Sequence, residues 1–260
     1  MLNFMVKFQE SLWYNTLMRM DVAELHRFYE SPLGKHVQKY IAKYIAAVWP
    51  DAVGDCVVGY GYPIPYLSQF QLRADRVLSI MPASQGAIFW PENEKNRVAL
   101  AEDNVIPLAD QSVNRLLFVH GLEGAEDTRL LLREAWRVLM DGGRLLVVVP
   151  NRRGLWARFP KFPFGIGQPY SGSQLYTLIQ ESLFTPSKPT YGLHIPPVES
   201  SVILNFSETW ERLGALWCWK IGGVVIIEAK KLMLSRILER PRGWRSRIFV
   251  PTALPLEPRK

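Results

Sequence analysis

The sequence predicts an α/β fold built on a mostly parallel sheet of about seven strands, with helices on both faces. Three observations predict it. Between Asp55 and Pro150, short apolar runs alternate with segments of helical spacing, the order of successive strand–helix–strand units. One run, RLLVVVP at 144–150, is apolar without alternation, as expected of a strand covered on both sides. Apolar residues make up 48% of the 260, enough to cover two sheet faces.

Taken in order, residues 1–48 read as helical. Phe4, Met5, Phe8 and Leu12 keep helical spacing. A second helix is expected from Asp21, an N-cap with Glu24 three residues on, and Ser31-Pro32 ends or kinks it. A third places Val37, Ile41, Tyr44, Ile45 and Val48 on one face and closes at Pro50-Asp51. CVV (56–58) is strand-like and meets Gly59. RVLSIM (76–81) ends at Pro82, VAL (98–100) is a short third strand, and RLLFVH (115–120) is a fourth. DTRLLLREAWRVLMDGG (127–143) reads as a helix capped by Asp127, with Leu131, Ala135, Val138 and Leu139 on one stripe and Gly142-Gly143 as its stop. Residues 151–174 form a long loop rich in Gly, Pro and aromatics, and Ser171 or Ser173 caps the helix QLYTLIQESLF. Residues 185–200 are turn-like, NFSETWERLGAL is helical, and LWCWKIGGVVIIEAK (216–230) reads as a hairpin around Gly222-Gly223.

The net charge of +7 is placed unevenly. Residues 230–260 hold nine Lys/Arg against Glu239 and Glu257, which leaves 1–229 neutral. The basic tail is either a solvated segment or a contact for anionic lipid, nucleic acid or an acidic protein. No apolar run approaches the ~20 residues of a membrane span, and the first residues lack the apolar core and cleavage site of a signal peptide. Cys56 and Cys218 sit in apolar contexts and read as buried thiols in a reducing compartment, which makes the expected location cytoplasmic.

VVGYGYPIPYL (57–67) runs a strand into a glycine turn. A dinucleotide site wants a third glycine, where Ile64 stands, and Pro63 and Pro65 remove two N–H donors. The turn is poorly suited to a pyrophosphate, whereas a cofactor without phosphates loses less. The alternative is a glycine turn that only lets the next helix pack.

Residues 104–151 resemble the second half of a bacterial class I S-adenosylmethionine (SAM)-dependent methyltransferase. The residues that carry the resemblance are Ile106-Pro107, the strand at 116–119, His120-Gly121-Leu122-Glu123, Arg137-Val138-Leu139 and Gly142-Gly143-Arg144, in that family's order. GQPYSGSQLYTLIQESLF (167–184) is also similar to the segment after the family's fifth strand. The resemblance spans about 52–229, with a degenerate glycine-rich motif. It implies a Rossmann-like methyltransferase domain over 51–231, preceded by a helical extension over 1–50 and followed by the tail over 232–260. It also implies SAM as cofactor, held by Gly59, Tyr60 and Gly61 at the turn, Met81 at the ribose position, Glu102 and Asp103 near the adenine, and Val119 after the fourth strand. The family's acids before the first glycine, at the ribose and at the start of the fourth strand are Val57, Met81 and Asn114 here. Ser84 or Gln85 at the ribose, and Tyr60 or Tyr62 near the sulfonium, would compensate.

The expected activity is methyl transfer from SAM to an unidentified acceptor. The alternative is a non-catalytic relative serving as a binding or regulatory module. In-line transfer needs few dedicated residues. His120, at the carboxyl end of the fourth strand, is the candidate general base. Glu123 is the next candidate base, its plainer reading a surface acid near a helix start; His194 reads as structural, and His26 and His36 as solvent-facing. No His/Cys group has metal spacing. The loop 151–171 interleaves Arg152, Arg153, Trp156, Arg158, Phe162, Phe164 and Tyr170. It is either a binding surface for nucleic acid or an anionic aromatic substrate, or a lid packing its aromatics onto the sheet. Arg153, Trp156 and Tyr170, with Tyr29, are the candidate acceptor-binding residues.

Overall fold

The structure is a computed structural model that describes residues 19–200, 203–204, 206–217 and 219–232. The expected helix around Phe4–Leu12, Cys218 and the tail beyond Leu232 lie outside the described residues. Helix α1 (Val22–Glu30) is capped by Asp21, whose carboxylate accepts from the Ala23 N–H at 2.8 Å. Ser31 closes α1 and opens α2 (Pro32–Val48). Its hydroxyl donates to the Phe28 carbonyl at 2.6 Å and accepts from the Gly34 N–H at 3.0 Å, and Pro32 stands in the first turn, where a missing N–H costs nothing.

The sheet starts at β1 (Cys56–Gly61). It pairs in parallel with β2 (Arg76–Pro82) on one side and β4 (Val113–Val119) on the other. β3 (Val98–Ala101) lies outside β2, and β5 (Leu139–Pro150) lies outside β4, both parallel. β8 (Val224–Lys231) is antiparallel to β5, and the far edge is shared by β6 (Phe184–Pro186) and β7 (Thr190–Gly192), both antiparallel to β8. The order is β3-β2-β1-β4-β5-β8-β6, eight strands in all with β7. The chain runs outward from β1 to β2 and β3, then crosses back to β4 on the other side of β1, so a crevice opens at the carboxyl ends of β1 and β4. Between β1 and β2 a single helical turn, α3 (Ile64–Leu67), replaces the longer helix usual at that place.

Two apolar layers cover the sheet. Val57, Met81, Leu117, Val119, Leu146 and Val148 face α1 and α2. Val58, Ile80, Leu116, Phe118, Val147 and Val149 face α4 (Thr128–Val138) and α5 (Gly172–Glu181). The alternation of faces along each strand puts both helix pairs on one body, and α1 and α2 form a layer of the sheet domain. No helix among the described residues is long and apolar enough to cross a membrane.

Three sequence expectations change. Helix α4 stops at Val138, because Leu139 is extended and already pairs with Val113. The register then jumps to Arg115↔Arg144, so residues 140–143, with Gly142 and Gly143, are looped out as a bulge in the strand. The hairpin at 216–230 does not form. Residues 207–217 are helix α6 (Ser207–Trp217), and the pairing partner of Val224, Val225 and Ile226 is β7, drawn from the segment expected to be turns. Lys230 and Lys231 are the last residues of β8. Lys231 is buried, with Nζ donating to the Leu139 carbonyl at 2.6 Å and lying 4.0 Å from the Trp136 ring centre.

Candidate active site

The glycines of the turn are used by the chain itself. Gly61 has φ +91°, and a Cβ there would stand 2.3 Å from the Val119 carbonyl oxygen. Its absence lets β1 end against the loop after β4, where the Tyr62 N–H donates to Val119 at 2.7 Å. A Cβ on Gly59 would meet the Pro63 ring at 2.3 Å. Both glycines are thus accounted for by close packing, and the proline-rich turn folds back on its own strand. Val119 is fully buried.

His120 follows with φ +51°, a left-handed conformation costing ~1–3 kcal/mol that its surroundings must hold. What holds it is a chain of hydrogen bonds. Tyr66 donates its hydroxyl to Tyr29 at 3.0 Å, the Tyr29 hydroxyl bonds His120 Nε2 at 2.8 Å, and His120 Nδ1 meets Glu123 Oε1 at 3.2 Å. Since Tyr29 already accepts from Tyr66, it donates to Nε2, and Nδ1 carries the proton toward Glu123. Burial, first, and then Tyr66 push the Tyr29 hydroxyl well above the ordinary tyrosine range, which keeps it a donor. Phe164 closes the other side of the imidazole, ring centres 4.7 Å apart. Glu123 is 6% exposed and is not the surface acid its position suggested. Its Oε2 is buried without a partner. The sequence signals for this pair were its spacing of three residues and the His-Gly-Leu-Glu segment that carries the resemblance.

On the β3 side, Asp103 Oδ2 accepts from the Ser84 hydroxyl at 2.5 Å and lies 3.4 Å from Arg19 Nε. Arg19 Nη1 donates to the Gly121 carbonyl at 3.0 Å, and the Arg19 side chain is 3% exposed. The Tyr60 hydroxyl accepts from the Asn104 N–H at 3.3 Å, with its ring against Phe118. Tyr60 therefore reaches the Asp103 corner with its hydroxyl only. Tyr62 is stacked on Tyr29, so neither ring is free to face a sulfonium. Met81 is fully buried in the α1 layer. Glu102 is exposed. Buried acceptors without a partner line this region: Gln85 Oε1, Asn104 Oδ1 and Glu123 Oε2.

The open space above the strand ends is small. A cavity of about 20 Å³ is bounded by Arg19, Met20, Leu25, Gln85, His120 and Glu123, among others, room for about one water. Beside it lies a cleft of about 710 Å³ between α1 and the loop after β5, lined by Phe28, Leu33, Lys161, Phe162 and Leu204, among others. Met20 and Ile166 form walls of both.

The candidate acceptor residues do not converge. Trp156 is fully buried, donates Nε1 to the Ile195 carbonyl at 2.7 Å and packs edge-on to Phe28, Phe162 and Phe164. The loop is thus an aromatic layer closed onto α1, and Trp156 offers no surface to a ligand. Arg153 points to solvent. Tyr170 lies in the opposite layer, where burial, first, and then Glu123 raise its hydroxyl to about 12. Only Tyr29 reaches the His120 group. Two of the absent acids have structural explanations. Asn114 stands at the amino end of β4, accepting from the Cys56 N–H at 2.9 Å, and Val57 is core. His36 is half-buried, 3.2 Å from the Ser207 hydroxyl. His194 forms a buried pair with Glu211 at 3.1 Å.

Residues 55–147 match the family model described as a methyltransferase domain. No curated protein matches the chain by sequence. Solved structures do. A SAM-dependent methyltransferase of Thermotoga maritima, a possible histamine N-methyltransferase, aligns at 17% identity over 81% of this chain and 96% of its own, TM-score 0.56. A SAM-dependent methyltransferase of Archaeoglobus fulgidus aligns at 15% identity over 81% and 100%, TM-score 0.54. The geranyl diphosphate C-methyltransferase of Streptomyces coelicolor, solved with Mg2+, geranyl diphosphate and S-adenosyl-L-homocysteine (SAH), aligns at 16% over 74% and 76%, TM-score 0.50. The fold is the Rossmann-like α/β fold of SAM-dependent methyltransferases.

Proposed function

We propose that the chain is a SAM-dependent methyltransferase acting on an acceptor that gives up a proton. One observation carries this reading. Within this fold, buried and unpaired acceptors gather at the carboxyl ends of the central strands beside a histidine–carboxylate pair. Such orphaned groups suit a ligand rich in donors. Asp103, the Gly121 carbonyl and Gln85 would accept from the amino and hydroxyl groups of an adenosine moiety, and Met81 leaves the ribose without its usual carboxylate. SAM, when bound, supplies an electrophilic methyl group. His120 Nε2, the acceptor nitrogen of the ring, would take the acceptor's proton once the Tyr29 hydroxyl releases it, and Glu123 would stabilise the resulting imidazolium. Tyr66 and Tyr29 hold the ring until then.

A second reading has its own observation. Arg19 and Tyr29 occupy the crevice at the strand ends, against Gly121, Asp103 and His120, which favours a methyltransferase fold kept for binding without catalysis. Calorimetry with SAH separates the two. One-site saturable heat is expected. No heat at millimolar SAH, with an unchanged unfolding temperature, both in the wild-type chain and in Arg19→Ala, sets the enzyme aside and leaves the second reading.

A further inference from the structure

We infer that Arg19 is a built-in competitor of the cofactor: its guanidinium takes the acceptors that an adenine amino group would use, so the resting protein is closed by its own chain. This rests on the reading of the cleft as a SAM site.

The chemistry matches donor for donor. A guanidinium presents N–H groups in a plane, as the amino edge of adenine does. Arg19 directs them at the Gly121 carbonyl and the Asp103 carboxylate. Both lie at the crevice where strand order reverses. The fit is incomplete on the arginine's side. Nη2 is buried without a hydrogen-bond partner, and Nε faces Asp103 Oδ2 at 3.4 Å as an ion pair without hydrogen-bond geometry, as expected of a group occupying a site shaped for another.

The hinge is equally local. The Val22 N–H is anchored to the Gln85 carbonyl at 2.8 Å, and Tyr29 ties the far end of α1 to His120. Arg19 and Met20 precede this anchored helix. They can swing away without unfolding α1 or breaking its cap. Met20 is a wall common to the 20 Å³ cavity and the 710 Å³ cleft. Its departure removes one of the two walls they share, the other being Ile166. The apparent cofactor affinity is then the intrinsic one reduced by the fraction of molecules that are open.

Two variants open the gate by different routes. Arg19→Ala removes the competitor. Gly124→Ala keeps the arginine in the sequence but displaces its side chain, because a Cβ at 124 would stand 2.5 Å from Arg19 Cγ. Calorimetry and thermal unfolding with SAH are run on the wild-type chain and both variants. The expected result is SAH binding ~10-fold or more tighter in each variant than in the wild type, the scale of charge-assisted hydrogen bonds removed from competition. Binding in Arg19→Ala equal to or weaker than wild type overturns the gate and makes Arg19 neutral or a cofactor contact, while the SAM-site reading stands. Absence of binding in all three overturns the gate together with that reading. If one variant fails to fold, the other decides, since each acts without the other's substitution.

Discussion

Tyr29 shows how one hydroxyl organises the centre of this molecule. It accepts from Tyr66 and donates to His120, and the ring it fixes carries a strained backbone. Tyr29→Phe leaves Nε2 of a buried histidine without a donor. Unfolding by urea should show a loss of ~1–3 kcal/mol, and an unchanged midpoint would mean that another group reaches Nε2. Gly61→Ala asks a different question at the same scale. A side chain at φ +91° and 2.3 Å from the Val119 carbonyl forces β1 off the loop that carries His120. The expected loss is ~1–3 kcal/mol or more, read by thermal unfolding. At this scale the sequence was partly legible. His120 was marked by its place at a strand end, but the burial of Glu123 was not legible, because its cover by loop 163–168 is a long-range contact. Trp156 was misread because an aromatic in a loop has the same local signature whether it seals a layer or waits for a ligand.

Helix ends and strand ends obey local chemistry until a partner strand overrides it. Ser171 caps α5 in a reciprocal box, accepting from the Gln174 N–H while the Gln174 side chain accepts from the Ser171 N–H. Ser171→Ala should cost ~1 kcal/mol, measured by chemical denaturation, and Ser173→Ala should cost less because Ser173 is not the cap. Asp21, Ser31 and Asp127 were legible in the same way. The end of α4 was not. Its apolar stripe continues to Leu139, yet that residue is taken by Val113 of β4, and a strand ladder outweighs one more helical residue. The hairpin at 216–230 failed for a related reason. Gly222-Gly223 is a turn signal, but β8 finds its neighbours in β5, β6 and β7, none adjacent in sequence.

Four buried tyrosines give the folded molecule a collective pH dependence. Burial, first in each case, raises Tyr29, Tyr62, Tyr66 and Tyr170 above their ordinary value, Tyr170 to about 12. Below the unfolded value near ~10 these neutral hydroxyls contribute fully. Above it the unfolded chain ionises first, so stability falls as pH rises through the folded values. Denaturation midpoints should decline steadily from about pH 10 to 12, with phenolate absorbance appearing on unfolding rather than before it. Phenolate absorbance that develops in the folded protein near pH 10 would contradict this packing.

By itself the sequence determined the alternation of strands and helices, the helix caps, the parallel core and the resemblance that named the fold. These depend on periodicity and on contacts a few residues long, which a linear chain displays directly. Only the tertiary structure decided that the crevice is closed by Arg19, Met20 and Tyr29, that Glu123 is buried beside His120, and that the loop aromatics form a wall. The physical reason is that each depends on which distant groups meet. Burial and charge pairing across dozens of residues leave no period in the chain.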